Sequence, residues 1–284
     1  MKFELRFYYF ALAVLLLCAF FADLSWPLPG ELEVAFLDIG QGDSILITTP
    51  HKRRILIDGG PGVTVLERLG EETSHWLSKI DLLMITHPDL DHLEGLLEVV
   101  DRYKVEGVLM TGVIHGSSLY RAFLERLNQY DITPLIVNPE EDWLLDEGVT
   151  FDIIWPKANV AMQHQDNMNN TSIVAMLRYG DTSMLLPGDA EKDEEHAILL
   201  TDYAITSEFL KIGHHGSTTS SNPDFLRAVN PERGVIIAGR DNQFNHPHLE
   251  RVLNLDERNI EWLSTKKLGT IVVRSDGDSW ETAD

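Results

Sequence analysis

"ITHPDLDHLEG", residues 85–95, places His87, Asp89, Asp91 and His92 within six positions. Such side chains are costly to bury without partners, and they have no reason to cluster on a solvated loop. The residues leading in, "DLLMIT" (81–86), read as a buried strand that ends at His87. Pro88 delays entry into a helix. Leu93, Leu96, Leu97 and Val100 then follow the i, i+3, i+4, i+7 spacing of a helix face. His87 and Asp89 are therefore expected on a tight loop, with Asp91 and His92 at the mouth of a helix. Neighbouring side chains such as Asp91 and His92 point apart, so one loop can feed two metal ions. The plainer reading is an exposed acidic turn with incidental histidines. Four ligand-type residues at fixed spacing are a much rarer coincidence than one.

The rest of the composition limits what such a loop can hold. The single cysteine, Cys18, leaves no intrachain disulfide and excludes a cysteine-ligated zinc site. Any metal must be held by nitrogen and oxygen. A formal net charge of −22 disfavours broad, non-specific binding to nucleic acid. It does not exclude an enzyme whose metal ions supply positive charge locally. Lys2 and Arg6 flank sixteen apolar residues, Phe7 to Ala22, which read as an export signal or short membrane anchor. Poorly placed small residues near Ala22 favour an uncleaved anchor over a cleaved signal. The expectation is residues 1–31 as anchor and linker, and 32–284 as one domain outside the cytoplasm, membrane-anchored or secreted.

Beyond the linker "DLSWPLPGE" (23–31), short apolar runs come quickly: "LEVAFLDI", "DSILITT" and "RRILIDGG" suggest a meander of antiparallel strands. Strands and helices then alternate over roughly 250 residues, a range that one α/β domain can fill. Six of the eleven histidines fall in three short motifs: His87/His92, His214/His215 in "KIGHHGS", and His246/His248 in "NHPH". Each trails an apolar strand, as a site at strand ends requires. "ILIDGG" and "LLPGDAE" put Asp58 and Asp189 at strand ends as well. Taken singly, Asp58 reads as a turn former and Asp189 as a helix N-cap.

Together, "ITHPDLDH", "IDGG", "LLPGDAE" and "HHGS" resemble the metallo-β-lactamase superfamily. "FLDIGQGDSILI" (36–47), "NNTSIVAML" (169–177), "LKIGHHGSTTSS" (210–221) and "NHPH" are similar to the extracellular nuclease-like domain of ComEC-type competence proteins. The resemblance runs from about Val34 to the C-terminus in motif order. It implies an α/β fold, a four-layer αββα sandwich with its site at one edge, and two divalent ions, Mn²⁺ or Zn²⁺. His87 and Asp89 would hold the first ion, and Asp91, His92 and His246 the second, with Asp189 bridging. Asn170 or Asn169, in the "NNTS" that stands where many members have a histidine, would face the first ion directly or through water. Asp91, His214, His215 and His248 are candidates for a catalytic role. Asp58, Asp43, Ser172 and Ser217 would support the site. Oxygen at Asp89 and Asn170 tilts preference from zinc towards manganese.

Two adjacent divalent ions would clamp a phosphate, activate water and stabilise the leaving oxygen. The expected activity is a metal-dependent phosphodiesterase, a nuclease acting on DNA or another phosphodiester. No Gly-x-Ser-x-Gly elbow is present to support a serine hydrolase. The alternatives are a phosphocholine esterase, lactonase or β-lactamase on the same scaffold, or a non-catalytic metal-binding subunit paired with a separate channel protein. One apolar segment cannot form the multi-helix channel of a competence protein, so a freestanding relative of the hydrolase domain is expected. Lys52, Arg53 and Arg54 are a candidate basic groove for DNA, although a solvated hairpin tip is the plainer reading.

Overall fold

The computed structural model describes residues 30–73, 79–138 and 141–283. The strands, in chain order, begin with β1 (Leu32–Phe36), β2 (Ile45–Thr48), β3 (Arg54–Ile57), β4 (Lys79–Ile80), β5 (Leu82–Met84), β6 (Lys104–Val105), β7 (Val108–Met110) and β8 (Leu135–Ile136). They continue as β9 (Trp143–Asp146), β10 (Val149–Trp155), β11 (Val174–Tyr179), β12 (Thr182–Leu186), β13 (Phe209–Lys211), β14 (Arg233–Ile236), β15 (Glu261–Ser264), β16 (Ile271–Ser275) and β17 (Trp280–Thr282). One sheet runs β17-β16-β1-β2-β3-β5-β7-β8 and the other β15-β14-β13-β12-β11-β10-β9. β4 and β6 pair separately. The meander of β1, β2 and β3 is antiparallel, and β3, β5, β7 and β8 then run parallel.

Strand pairs whose faces are both apolar must be covered on both sides, and three separate apolar layers do this. The middle layer packs Phe36, Ile47 and Ile55 of the first sheet against Phe151, Leu177 and Phe209 of the second. An outer layer sets Leu46, Leu56 and Leu83 against helices Thr64–Glu72, Leu90–Arg102 and Ser118–Gln129. The third sets Val174, Met176 and Leu210 against helices Lys192–Leu199 and Pro223–Val229, with Leu255 of helix Leu249–Glu257. Three apolar layers between four layers of structure make an αββα sandwich.

The topology sends chemistry-bearing loops to one edge. β3 and β5 end there, as do β12, β13 and β14, which run parallel. β2 and β11 begin there, because each is antiparallel to a neighbour that ends there. Gly42 lets the β1–β2 loop close onto this edge: its φ is +134°, and a Cβ would lie 2.1 Å from the Asp91 carbonyl oxygen. At the opposite end of β2 and β3 lies the turn that carries Lys52 and Arg53. Arg54 to Asp58 is four residues of strand, or about 13 Å. The basic hairpin is therefore a tip remote from the site edge, and the candidate groove is corrected to the plainer reading. The segment Phe7–Ala22 lies outside the described residues. None of the described helices is long and apolar enough to cross a membrane.

A candidate metal centre at the sandwich edge

The "THPDLDH" loop folds as its residue types require. Helix Leu90–Arg102 has Asp89 at its N-cap, in extended backbone (φ −76°, ψ 158°), but the Asp89 side chain makes no capping hydrogen bond. A carboxylate that would ordinarily satisfy the first turn is thus kept for something else. Its Oδ2 lies 3.8 Å from His87 Nε2. Asp189 is likewise not a cap: Glu191 is the N-cap of Lys192–Leu199, with its backbone N–H bonded to Glu194. Asp189 instead faces the edge.

Three imidazoles are oriented by their Nδ1 atoms. Asp58 accepts from the Thr86 backbone N–H (2.8 Å) and hydroxyl (2.6 Å), and from His92 Nδ1 (2.8 Å). His92 Nε2 then points at Asp189 Oδ2, 3.2 Å away. His215 Nδ1 donates to the Ile237 carbonyl at 3.1 Å and lies 3.2 Å from Asp43, with Nε2 3.1 Å from Asp189 Oδ2 and 3.5 Å from Asp91. His87 Nδ1 faces the Thr86 and Ser172 hydroxyls at 3.1 and 3.4 Å. The Thr86 proton is already committed to Asp58, so Thr86 can only accept from His87 Nδ1, while the Ser172 hydroxyl can donate or accept there. Each arrangement leaves Nε2 as the atom turned to the centre, the pattern by which outer partners fix metal-ligating histidines.

The donors converge. His87, His92 and Asp189, and separately Asp91, His92 and His215, offer ligand atoms within 4.8 Å of one another. Buried atoms without a hydrogen-bond partner gather here too: His87 Nε2, His215 Nε2 and Asp43 Oδ1. Buried polar atoms are normally satisfied, and a cluster of exceptions calls for a reason. Charge gives the same answer. Asp43, Asp58 and Asp189 are buried and Asp91 is two-thirds buried, yet Lys211 is the ammonium group among them. Burial works to lower His92 and His215, but Asp189, with Asp58 and Asp43, outweighs it and raises both imidazoles well above their ordinary value; divalent cations with nitrogen and oxygen ligands fit this donor set and would take over that positive charge. Burial and the neighbouring His92 push the His87 imidazole down to about 3, keeping it in the neutral form that a ligand requires. Burial works to raise Asp91, but His215 and His92 outweigh it and hold the carboxyl well below its ordinary range.

The structure brings His87, Asp91, His92, Asp189, Asp43 and Asp58 together, with Asp89 and His214 at the rim. His214 is 22% exposed, its Nε2 is 3.8 Å from Asp189 Oδ2, and its Nδ1 is 3.1 Å from the Thr219 hydroxyl. Ser172 supports through its hydroxyl, which accepts from the Asp189 N–H. Ser217 stays within its own loop, bonded to Thr219. His246 is not among the converging donor groups, which do include His215. The His246 ring is 6.0 Å from that of His215, and its Nδ1 is 3.3 Å from Gln41 Nε2. The catalytic expectation for His248 is corrected: its Nδ1 accepts from the Thr218 N–H and its Nε2 donates to the Phe244 carbonyl, so both nitrogens are spent locally. Lys211 and Gln41 were not picked out from sequence. The available signal for Lys211 was a lone cation inside the apolar strand "FLKI".

The chain belongs to the metallo-beta-lactamase superfamily, whose profile matches residues 37–240. It is 29% identical over 264 residues to ComE operon protein 3 of Bacillus subtilis (strain 168), covering 87% of this chain and 33% of that protein. It is 30% identical over 243 residues to Recombination protein 2 of Haemophilus influenzae, covering 83% of this chain and 28% of the relative. Competence protein ComA of Neisseria gonorrhoeae is 28% identical over 237 residues. These are ComEC-type competence proteins, and the chain spans about a third of their length. The fold is shared with the metallo-beta-lactamase fold protein YhfI from Bacillus subtilis (TM-score 0.52, 9% identity, 82% of this chain and 95% of that one). It is also shared with Igni18, a metallo hydrolase from Ignicoccus hospitalis (TM-score 0.52, 15% identity, 85% and 98%).

Proposed function

We propose that this protein is a binuclear metal-dependent phosphodiesterase that cleaves DNA outside the cytoplasm. The observation that carries the metal-dependent part is the convergence of three imidazole Nε2 atoms on Asp189 and Asp91 in a pocket of buried carboxylates. Similarity to competence proteins supports DNA as the substrate. Asp91, His92, His215 and Asp189 would hold one divalent ion, and His87 and Asp89, with Asn170 nearby in sequence order before β11, the other. The ions would supply Lewis acidity to the phosphate and an activated water.

The chain's own residues orient and protonate. Gly239 N–H bonds Gln41 Oε1 at 3.4 Å, which leaves the Gln41 amide N–H to donate to His246 Nδ1. Burial and the neighbouring His215 push His246 down to about 4, so it is neutral with its proton on Nε2 and can donate a hydrogen bond to a phosphate oxygen. His214, the most accessible of the central histidines, is held at Nδ1 by Thr219 and is suited to protonate the leaving oxygen. Location outside the cytoplasm rests on Phe7–Ala22, and a periplasm- or surface-active reporter fused after Asp284 tests it. The activity test incubates the full chain with single- and double-stranded DNA, a phosphocholine ester, a lactone and a β-lactam, each with Mn²⁺, Zn²⁺ or Mg²⁺. DNA cleavage with Mn²⁺ that chelation abolishes is the expected result. Turnover of another substrate class with DNA left intact under every metal would overturn the nuclease reading.

A further inference from the structure

The loop 213–221 carries His214 and His215 in left-handed backbone, at φ 47° and 55°, and closes on a third such residue, Ser221, at φ 52°. Side-chain-bearing residues persist in that region only where their surroundings over-determine them. Ser221 is where the surroundings take hold. It is fully buried. Its N–H donates to Glu195, its carbonyl accepts from Arg251 Nη1 at 2.5 Å, and its hydroxyl oxygen accepts from the Gly213 N–H at 2.8 Å. Gly213 is the residue before His214, so the loop is tied shut at its base.

Both grips on Ser221 come from buried charges of neighbouring helices. Glu195, in helix Lys192–Leu199, also accepts from the Asn222 N–H at 2.9 Å and from Asn222 Nδ2 at 2.7 Å. Arg251, in helix Leu249–Glu257, also donates to the Ser217 and Thr218 carbonyls, at 3.4 and 3.3 Å. A guanidinium is costly to bury, and this one directs its fork of donors at the backbone of a single loop. The two histidines depend on that loop unequally. His215 Nδ1 is anchored outside it, by the Ile237 carbonyl and Asp43. His214 Nδ1 is held from within, by the Thr219 hydroxyl at 3.1 Å, with a Glu191 oxygen farther off at 3.4 Å.

We propose that Arg251 is a positioning residue that, through Ser221 and the 213–221 loop, holds the His214 ring where it reaches the leaving oxygen. The inference rests on the phosphodiesterase reading above, with His214 as its proton donor. Without the guanidinium fork the loop relaxes from left-handed backbone and carries the His214 ring away, while His215 stays with its outside anchors.

The experiment uses the full chain with Mn²⁺ as wild type, Arg251→Met, Arg251→Lys and Ser221→Gly, each also combined with His214→Ala. Glycine tolerates left-handed backbone, so Ser221→Gly deletes only the hydroxyl that holds Gly213. Values of kcat and KM are measured on DNA and on bis-p-nitrophenyl phosphate, whose leaving oxygen departs without a proton. Arg251→Met should lower kcat on DNA by about 100-fold, with KM and manganese content close to wild type. Arg251→Lys, a point charge without the fork, and Ser221→Gly should fall between Arg251→Met and wild type. On the nitrophenyl ester all three should turn over nearly as fast as wild type. In the His214→Ala background none should cost more than about a further factor of two. Equal losses on both substrates, or losses that multiply with that of His214→Ala, would overturn the proposal and make Arg251 a brace for the fold alone. Should Arg251→Met fail to fold, Ser221→Gly decides by the same criteria. A wild-type chain that hydrolyses neither phosphodiester would remove the phosphodiesterase reading itself, and this proposal with it.

Discussion

Asp146 and Asp189 are both buried carboxylates at strand ends, on opposite edges of the sandwich, and they are treated differently. Asp146 closes the edge remote from the site. It accepts from the Thr49 hydroxyl, the His51 backbone N–H at 3.0 Å and the Glu147 N–H at 2.8 Å, and it pairs with His51 Nδ1 at 3.0 Å. Every lone pair that burial strips of water is given back a donor. Asp189 sits with Asp43, Asp58 and Asp91 around one lysine, beside imidazole nitrogens that have no partner. The first carboxylate is saturated by donors of its own edge, while the second draws on Lys211 and His92 amid further carboxylates and imidazole nitrogens without hydrogen bonds. Completeness of hydrogen bonding, more than burial or residue type, separates a structural charge from a working one.

The comparison can be broken most sharply at Asp189. Asp189→Ala should strip divalent metal from the purified chain and bring DNA cleavage to background, read by elemental analysis and a nuclease assay. Metal content equal to wild type would make Asp189 a structural group like Asp146. His214→Ala should lower kcat by about two to four orders of magnitude while leaving metal content intact. Loss of metal in that variant would move His214 from proton donor to ligand. Asp58→Asn, which spoils only the partner of His92 Nδ1, should weaken metal affinity by about 10- to 100-fold, measured by competition with a chelator.

Asp146→Ala tests the other edge. It should cost about 1–3 kcal/mol of stability at neutral pH and leave metal binding unchanged. Burial works to raise this carboxyl, but the Thr49 hydroxyl and the Glu147 and His51 N–H groups outweigh it and hold it below its ordinary value. A depressed native value means the stabilisation is complete above the unfolded-state pKa and is lost as pH falls through the native one. The gap between wild type and Asp146→Ala should therefore close below the ordinary carboxylate range, in denaturation curves taken at stepped pH. The smallest effect is expected for Lys52, Arg53 and Arg54 changed together to Gln. They lie farther from the site edge than a Debye length of about 8 Å, so DNA cleavage at physiological salt should hardly change. A large loss would restore the basic-groove reading.

The architecture could be read from the sequence wherever periodicity was long or punctuation strong. The run "DLLMIT" contains β5, and the face Leu93, Leu96 and Val100 is buried in helix Leu90–Arg102. β9 and β17 were not anticipated, because "WLLD" and "WET" are short edge pieces held by neighbouring strands rather than by their own pattern. At the site, His87, Asp89, Asp91 and His92 were legible because they share one short loop. The choice between His215 and His246 was not, since it depends on how two consecutive residues in left-handed backbone, His214 (φ 47°) and His215 (φ 55°), turn their rings. The place of His248 followed from a cap and two backbone partners that no spacing encodes.

The edge is stitched from both sheets. Asp43, Asp58, His87, Asp91 and His92 come from the first sheet's half of the sandwich, and Asp189, Lys211, His215 and His246 from the second's. Gln41 meets His246, Lys211 meets Asp43, and Ile173 N–H bonds the Thr86 carbonyl across the same line. A cation bound there is a clasp on a seam, and its binding energy resists the parting of the two halves. At a hundred times its dissociation constant such a clasp adds about 2.7 kcal/mol to the cost of unfolding. If the proposed centre is loaded in this way, supply of metal would set how long the chain survives proteases as well as how fast it turns over.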